Sequence, residues 1–314
     1  MPGTAPDGSQ LGISIVTSAW NMQDLVGDTI SSVVSQKQPG DQYVFVDGAS
    51  EDGTLDVAKG FGDQIDVLIS EPDDGQYYGL AKGFRQATGD IQAWINADDV
   101  LMPWAFSVVR EVFSRFPEVD WITGCPSFLS NTGQMTRVYG KPPAYPRHFI
   151  ANGWYSKTLG AYLQQESMFW RRSLWDKVGG LNLDLSLAAD FELWTRFAQH
   201  AELVPVDIPL AAFRERPGEQ RSSAGEDRYE QEVALVCADK PRANGLWRLF
   251  ANQGITTRMI ARLLINSTGA AIAYNRRARE WQMTTGRRSI ARQSVGTLLE
   301  EWRMDRRQAR KAGE

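Results

Sequence analysis

The sequence has two cysteines, two histidines and no long apolar run among its 314 residues, and each shortage excludes a class of protein. Cys125 and Cys237 are too few for a disulfide framework or a cysteine metal site, which favours a reducing, cytoplasmic compartment. His148 and His200 have no partners at zinc spacing. The first residues lack the basic start and apolar core of a signal peptide, so we interpret residues 1–10 as a flexible arm. With 42% hydrophobic and 23% charged residues, the composition excludes disordered, collagen-like and membrane-spanning chains.

Charge is distributed unevenly along the chain. From Pro241 onward there are 15 basic and 5 acidic residues, whereas the first 240 residues hold 19 basic and 33 acidic ones. The net charge of −4 therefore combines an acidic body with a basic tail. This division indicates that the tail has a separate role.

Short apolar runs recur along the first part of the chain, with helical patterns between them. The runs predict strands at 13–17, 43–47, 67–70, 91–95 and 121–124. They are apolar throughout rather than alternating, which is typical of parallel strands covered on both faces. The segments between them predict four helices, because their apolar residues recur at helical spacing. This alternation predicts a doubly wound, mostly parallel α/β sheet flanked by helices, with its ligand site at the carboxyl ends of the strands.

The second half of the chain is less regular. Turn residues and aromatics between 127 and 161 predict a loop or insertion, regular structure resumes at 167–178, and a helix is expected over 189–200. The polar segment 214–227 predicts a mobile loop. We therefore expect one α/β domain over 11–235 and a basic, helical C-terminal extension over 236–314.

Acidic and small polar residues follow four of the predicted strands. Asn96, Asp98 and Asp99 come directly after the fourth, and carboxylates there suit Mg²⁺ or Mn²⁺ with diphosphate and water completing the shell. Paired aspartates also serve commonly as turn or helix-cap residues. Turn-forming residues also follow the first, second and third predicted strands. Their convergence at one edge of the sheet favours a ligand site.

Several of these segments, in this order and at this spacing, resemble the family 2 glycosyltransferases, which use nucleotide-diphosphate sugars on the GT-A fold. The resemblance covers about residues 11–223. The segments that carry it are Ser14-Ile15-Val16-Thr17, Asp47-Gly48-Ala49-Ser50-Glu51-Asp52-Gly53-Thr54, Ser70-Glu71-Pro72-Asp73, Asn96-Ala97-Asp98-Asp99 and Ala189-Asp190-Phe191-Glu192-Leu193-Trp194. It implies a GT-A domain and an inverting, metal-dependent sugar transfer.

The resemblance also implies roles for the residues at the strand ends. Thr17, Asp47 and Asp73 would contact the nucleobase and ribose, Asp98 the ribose or diphosphate, and Asp99 the metal. The chemistry agrees, because a carboxylate accepts a base N–H, as a uracil-type donor offers, and also anchors a cation. Such a cation neutralises charge on the leaving diphosphate.

Asp190 falls where the family has its catalytic base. Displacement at the anomeric carbon needs one carboxylate, opposite the leaving group, to take the proton of the acceptor hydroxyl, and the outcome is inversion. Asp190 could instead cap the helix that follows, and the two roles are compatible.

Three further residues are candidates for the donor site. Lys82 would add a positive charge near the phosphates, or else be a solvated helix residue. Gln165 and Glu166, with Gln164 before them, lie where the family lines the donor-sugar and acceptor pocket; for Glu166 a buried structural role is the alternative.

The sequence departs from the family pattern in two places. Relatives often have Tyr-Asp-Ala and then Asn-Lys-Gly after the third strand, where this chain has Tyr77-Tyr78-Gly79 and Ala81-Lys82-Gly83. Many also have a histidine where this chain has Arg216. Arginine pairs with phosphate through its forked guanidinium but cannot ligate a metal. We therefore expect a weaker metal site that is assisted by Arg216.

The basic tail permits two interpretations. Its apolar residues are compatible with a helix that is too short and too charged to span a bilayer but fits an anionic membrane surface, near a lipid-linked acceptor; they are Met259, Ile260, Leu263, Leu264, Ala271 and Ile272. The alternative is a helical extension that packs on the body or mediates self-association. Nucleic-acid binding is disfavoured, since there is no recognisable module and the body is acidic.

Together these features predict a cytoplasmic glycosyltransferase, peripheral on the inner face of the cell membrane, that moves a sugar from a UDP-type donor to a saccharide or lipid-linked acceptor in cell-surface polysaccharide or glycolipid synthesis. One alternative is a nucleotidyltransferase, which would need a Gly-rich, basic loop after the first strand that 17–21 lacks. The other is a catalytically degenerate scaffold, against which the retained Asp47, Asp99 and Asp190 argue.

Overall fold

The computed structural model describes residues 10–156, 163–216, 226–241 and 266–289. In these ranges the elements are β1 (Ile13–Ala19), α1 (Val26–Val34), β2 (Gln42–Asp47), α2 (Thr54–Gly60), β3 (Val67–Ser70), α3 (Gln76–Phe84), β4 (Ile91–Trp94), β5 (Val100–Leu101), α4 (Ala105–Arg115), β6 (Trp121–Thr123), β7 (Ser127–Leu129), β8 (Met135–Val138), α5 (Arg147–Ala151), β9 (Met168–Arg171), α6 (Arg172–Val178), α7 (Ala189–His200), β10 (Leu203–Pro205), β11 (Ala211–Arg214), α8 (Glu226–Val236), β12 (Asn266–Asn275) and β13 (Glu280–Ser289). None of the helices in these ranges combines the length and apolar character that a bilayer crossing needs.

A seven-stranded sheet in the order β10-β6-β9-β4-β1-β2-β3 forms the centre of the molecule. Its strands are parallel except β9, which pairs antiparallel with both β4 and β6. The predicted α/β class and mostly parallel sheet are therefore confirmed, and all five predicted strands are present. The edge strand β3 is the exception to continuous burial, because only one of its faces is covered.

Four tryptophans fix α7 against this sheet. Trp194 of α7 stacks on Trp94 with ring centroids 5.5 Å apart and on Trp121 at 5.4 Å, and it meets the edge of Trp170 at 5.8 Å. All four side chains are fully buried. Large aromatic faces in mutual contact bury much apolar area and set the position of the element that carries them. The start of α7 is thereby held beside the strand ends.

A second, four-stranded sheet in the order β5-β11-β7-β8 lies beside the ends of the first. The predicted loop over 127–161 is therefore wrong in part, because it contains β7, β8 and α5. β7 is only three residues long, and it is stabilised by pairing with β11, where Phe128 lies opposite Phe213. A partner so distant in sequence leaves no local pattern. The predicted loop over 214–227 begins with Arg214, which ends β11 and is buried, and 217–225 lie outside the described residues.

The predicted helical extension is wrong over 266–289, where β12 and β13 form an antiparallel hairpin. Ala271 and Ile272, expected on a helix, are buried in β12, and the N–H of Asp207 donates to the carbonyl of Ile272 at 2.8 Å. Cross-strand hydrogen bonds and this edge contact outweigh the helical spacing of a few apolar residues. Arg288 also forms an ion pair with Asp207 at 2.8 Å, so this part of the basic tail packs on the acidic body. Met259, Ile260, Leu263 and Leu264 lie outside the described residues.

Candidate active site

A cavity of about 1040 Å³ opens at the carboxyl ends of β1, β2, β3 and β4. Both polar and apolar residues line it, in the position where an open α/β sheet binds ligands. Among the predicted site residues, its wall contains Asp73, Asp98, Gln165, Glu166, Asp190 and Arg216. The other four predicted residues, Thr17, Asp47, Lys82 and Asp99, are not part of the wall.

Thr17 and Asp47 are buried behind the cavity and bonded to protein groups. The Tyr43 hydroxyl donates to Thr17 Oγ1 at 3.1 Å, and the Ser70 hydroxyl donates to Asp47 Oδ2 at 2.7 Å. The N–H of Ser50 lies 3.2 Å from the same Asp47 oxygen. These bonds tie β1 to β2, and they fasten the end of β2 to the end of β3 and to the turn after β2. The roles of Thr17 and Asp47 in nucleobase binding stay predictions.

Asp73 lies in a recess of the wall that glycines keep open. Its Oδ1 accepts from the N–H of Gly75 at 2.9 Å, while its Oδ2 is buried without a hydrogen-bond partner among the described residues. A Cβ built on Gly48 would lie 3.3 Å from that oxygen, and one on Gly79 would lie 2.9 Å from it. Because a buried acceptor without a donor is costly, Oδ2 is suited to accept from a ligand N–H or O–H.

Lys82 acts on the loop that carries Asp73. Its ammonium donates to the carbonyl of Pro72 at 3.0 Å and pairs with Glu71 at 2.9 Å. Both partners precede Asp73 directly, so Lys82 stabilises the loop from behind, and its contact with phosphate stays a prediction.

The two adjacent aspartates point in different directions. Asp98 contributes to the wall, where Arg216 contacts its Oδ2 through Nη2 at 2.7 Å and Nε at 2.9 Å. Asp99 is 1% exposed; its Oδ1 accepts from the N–H of Arg214 at 2.8 Å and its Oδ2 from the Asn96 amide at 3.2 Å. Asp98 is therefore the carboxylate offered to a ligand, whereas Asp99 fastens β11 to the end of β4, and its predicted role as the metal ligand stays a prediction.

Negative charge accumulates in this corner, which is the property a divalent cation requires. Burial raises the pKa of Asp99 well above its ordinary value, and the charges of Asp98 and Glu166 raise it further, against hydrogen bonds from Arg214 and Asn96 that lower it. Carboxylate oxygens are the ligands that Mg²⁺ and Mn²⁺ prefer. In the ranges that the structure describes, no three ligating side chains converge on one point, so a cation here would complete its shell with diphosphate and water. The donor chemistry fits such a cation, and Arg216 offsets part of the same charge.

Asp190 lies in the first turn of α7 and lines the same cavity. The N–H of Phe191 donates to its Oδ1 at 2.7 Å, and the Tyr77 hydroxyl lies 3.1 Å from the same oxygen and 3.0 Å from the carbonyl of Leu187. Burial raises the pKa of Asp190, the two hydrogen bonds lower it, and the charge of Glu232 raises it again. The net rise makes Asp190 a stronger proton acceptor than an ordinary aspartate.

The loop before β9 supplies amide groups that suit sugar hydroxyls. Gln165 donates from Nε2 to the carbonyl of Trp94 at 2.7 Å, and its Oε1 has no hydrogen-bond partner in the described part of the chain. The same is true of both amide atoms of Gln164, and each glutamine is only 7% exposed. Glu166 beside them is 3% exposed.

Two contributions to the cavity are absent from the sequence-based prediction. One is the Tyr77 hydroxyl at Asp190, whose partner lies 113 positions further along the chain. The other is α8, which adds Tyr229 and Glu230 to the wall. The sequence predicts a mobile loop over 214–227 and no helix over 226–236, so no local pattern connects α8 to the site.

Residues 14–177, just over half of the chain, match the family model for glycosyl transferase family 2. The chain belongs to this family. The match contains the strand-end residues, and it ends before Asp190.

Two relatives illustrate the similarity within the family. An uncharacterized glycosyltransferase of Mycobacterium tuberculosis is 28% identical over 203 residues, which cover 64% of this chain and 74% of the relative. TuaG of Bacillus subtilis, named for teichuronic acid biosynthesis, is 30% identical over 90 residues, covering 28% of this chain and 36% of TuaG.

Solved structures resemble the chain in fold. S. aureus TarS in complex with UDP-GlcNAc has a TM-score of 0.58 at 16% identity, covering 77% of this chain and 72% of that one. The mannosyltransferase PcManGT from Pyrobaculum calidifontis, in complex with GDP-Man and Mn²⁺, has a TM-score of 0.54 at 18% identity, covering 85% and 79%. These similarities show that the fold is that of the GT-A glycosyltransferases.

Proposed function

We propose that this protein is an inverting glycosyltransferase that moves a sugar from a nucleotide diphosphate to an acceptor hydroxyl within the strand-end cavity. Family membership supports sugar transfer. The observation that carries the proposal is that one cavity is lined both by Asp190, whose pKa is raised, and by the Asp98–Arg216 pair.

The strand-end side suits the nucleotide. Asp73 Oδ2 can accept a proton from a base N–H or a ribose hydroxyl, and the guanidinium of Arg216 can pair with diphosphate oxygens in a forked geometry. TarS binds UDP-GlcNAc and PcManGT binds GDP-Man. For this chain we favour a UDP-type donor, whose uracil offers an N–H to the Asp73 carboxylate; guanine offers N–H groups as well, so the nucleotide panel below compares the two bases.

A bound Mg²⁺ or Mn²⁺ would be held by Asp98, with Asp99 next to it, and would neutralise the charge that develops on the leaving diphosphate. PcManGT was solved with Mn²⁺, which supports a metal in this fold. Arg216 contributes fixed positive charge at the same corner. We therefore expect a weak metal requirement rather than an absolute one.

The transfer step uses Asp190 as general base. The acceptor oxygen attacks the anomeric carbon while its proton passes to the carboxylate of Asp190. The bond from the anomeric carbon to the diphosphate oxygen breaks, and the electron pair leaves with the diphosphate. A single displacement inverts the anomeric configuration, and the raised pKa of Asp190 suits a base that works near neutral pH.

The acceptor is proposed to be a saccharide or lipid-linked glycan used in cell-surface polymer synthesis, as TuaG's name suggests for that relative. We propose a cytoplasmic enzyme that associates with the inner face of the membrane through its basic tail. Arg276, Arg277 and Arg279 are exposed at the turn of the β12–β13 hairpin, where they can attract anionic headgroups.

Thermal unfolding with a panel of nucleoside diphosphates and their sugars, with and without Mn²⁺, tests the donor site. A ligand at one hundred times its dissociation constant stabilises the folded state by about 2.7 kcal/mol. We expect one base to raise the melting temperature of the wild type and of Asp63→Ala, an exposed control, and to lose most of this effect in Asp98→Ala. If no nucleotide shifts the wild type, the proposal is wrong and a scaffold role takes its place.

A further inference from the structure

Glu232 of α8 has a buried carboxylate that is bonded to three successive backbone N–H groups. Its oxygens accept from Ser186 at 3.1 Å, from Leu187 at 2.8 Å and from Ala188 at 2.9 Å. The Ser186 hydroxyl adds a fourth donor at 2.7 Å. The residue is 7% exposed. A charge so well bonded is costly to displace, since hydrogen bonds to ionised acceptors are about twice as strong as neutral ones.

The bonded segment is the turn that leads directly into α7. N–H groups at a helix start carry partial positive charge, so a carboxylate there is favourable. Burial raises the pKa of Glu232, but the hydrogen bonds from Leu187, Ser186 and Ala188 outweigh it and hold the pKa below its usual value. Glu232 is therefore charged at neutral pH.

The same turn is held from its other side by α3. The Tyr77 hydroxyl reaches both the carbonyl of Leu187 and Asp190 Oδ1. Next to Glu232, Val233 packs against Ala188 and Phe191. Two elements from distant parts of the chain thus enclose the backbone that precedes Asp190.

We propose that Glu232 is a positioning residue for sugar transfer, which fixes the turn at 186–188 and so aims the carboxylate of Asp190 at the acceptor. The proposal rests on the proposed role of Asp190 as base. α8 lies outside residues 14–177, so this device belongs to the part of the chain that the family model does not match. The same helix brings Tyr229 and Glu230 to the cavity wall, so its docking also shapes the side of the cavity next to the base.

Glu232 has an electrostatic effect on the base as well. The groups that face Asp190 are the Tyr77 hydroxyl from α3 and Glu232 from α8; Tyr229 interacts with Tyr77, and the exposed Arg228 lies 3.6 Å from Glu232. The negative charge of Glu232 raises the pKa of Asp190. Removing that charge while keeping the shape must lower it.

The first test is hydrogen–deuterium exchange of the full-length protein, followed by mass spectrometry. We expect the amides of 186–188 to exchange at least about tenfold faster in Glu232→Gln, since a neutral amide offers one acceptor oxygen in place of a carboxylate. The control Asp227→Asn removes the same charge from an exposed site on the same helix and should leave this exchange unchanged. Exchange in Glu232→Gln equal to the wild type would overturn the proposal, whatever the protein's activity.

The second test is turnover of the nucleotide sugar identified by thermal shift, followed as release of nucleoside diphosphate with water as acceptor. For Glu232→Gln we expect kcat to fall about tenfold, the donor KM to stay within about twofold, and the acid limb of the pH–kcat profile to move to lower pH. Glu232→Asp keeps the negative charge, so the acid limb of its pH–kcat profile should stay near that of the wild type. An unchanged kcat in Glu232→Gln, or a limb that does not move, overturns the positioning role, whereas a wild type that binds no nucleotide overturns the proposed function instead.

Discussion

The two sides of the cavity are built in different ways. On the strand-end side, the bonds that shape the wall join neighbouring strands and the turns after them, such as Ser70 to Asp47 and Gly75 to Asp73. On the helix side, Asp190 and the turn before it are held by Tyr77 and Glu232, which come from two other parts of the chain. The first side follows from sheet register, whereas the second depends on helices docking correctly.

We expect this difference to separate nucleotide binding from catalysis. On the strand-end side, Asp73 and Asp98 lie within the family match, whereas Arg216, Asp190 and α8 lie beyond it. A change on one side should therefore alter nucleotide affinity with little effect on the base, and a change on the other should do the reverse.

Asp190→Asn should remove the catalytic function of the helix side of the cavity. An amide cannot take the acceptor proton, and general base catalysis contributes about 10²- to 10⁴-fold, so we expect kcat to fall by about 10³-fold. The nucleotide-induced shift in melting temperature should remain. Asp184→Asn, at an exposed position in the loop that precedes α7, is the matched control. Wild-type turnover in Asp190→Asn would show that Asp190 is not the base.

Arg216→His should weaken nucleotide binding at the strand-end side of the cavity when no metal is present. Losing the guanidinium removes a charge-assisted pair with Asp98, and we expect nucleotide affinity without metal to fall about tenfold. Since imidazole ligates divalent metals, we expect half-maximal stabilisation at about tenfold lower Mn²⁺ than in the wild type. Arg216→Gln lacks both functions and should bind weakly with or without Mn²⁺. Identical Mn²⁺ titrations for all three proteins would contradict the role given to Arg216.

Much of the fold was predictable because its strongest signals are local. The helix expected over 189–200 is α7, and the short apolar runs are strands of the central sheet. β7 and the β12–β13 hairpin were missed, since both are stabilised by pairing rather than by a pattern within the segment.

The candidate site was predictable only as far as sheet topology brings residues together. Strand ends meet at one edge, so Asp73 and Asp98 were expected there and they line the cavity. Sequence cannot show which of two adjacent carboxylates points outward, because the answer depends on β11, whose Arg214 N–H binds Asp99. Nor can it show that Glu232 bonds to the turn before Asp190, since only the docking of α8 brings the two together.

Tyr77→Phe should change the pH dependence of turnover without abolishing activity. The hydroxyl lowers the pKa of Asp190, so its removal should raise that pKa further. The base is active when deprotonated, so the rate should begin to fall at a higher pH as the solution is acidified. We expect the acid limb of the pH–kcat profile to move up, opposite to Glu232→Gln, and kcat at neutral pH to fall a few-fold. Tyr78→Phe, whose side chain is not part of the cavity wall, is the control. An acid limb that moves to lower pH in Tyr77→Phe would show that the hydrogen bond from Tyr77 does not lower the pKa of Asp190.

Thr17→Val removes a hydrogen bond between β1 and β2 behind the strand-end side of the cavity, and it should have the smallest effect on function. The buried Tyr43 hydroxyl would lose its acceptor, and leaving such a donor unsatisfied costs about 1–3 kcal/mol of unfolding free energy, measurable by urea denaturation. Because Thr17 is fully buried behind the cavity wall, the variant also tests its predicted contact with the nucleobase: nucleotide affinity within about twofold of the wild type would contradict that contact. A larger loss of affinity in a variant that remains folded would show that Thr17 reaches the nucleotide, and that the end of β1 rearranges when the donor binds.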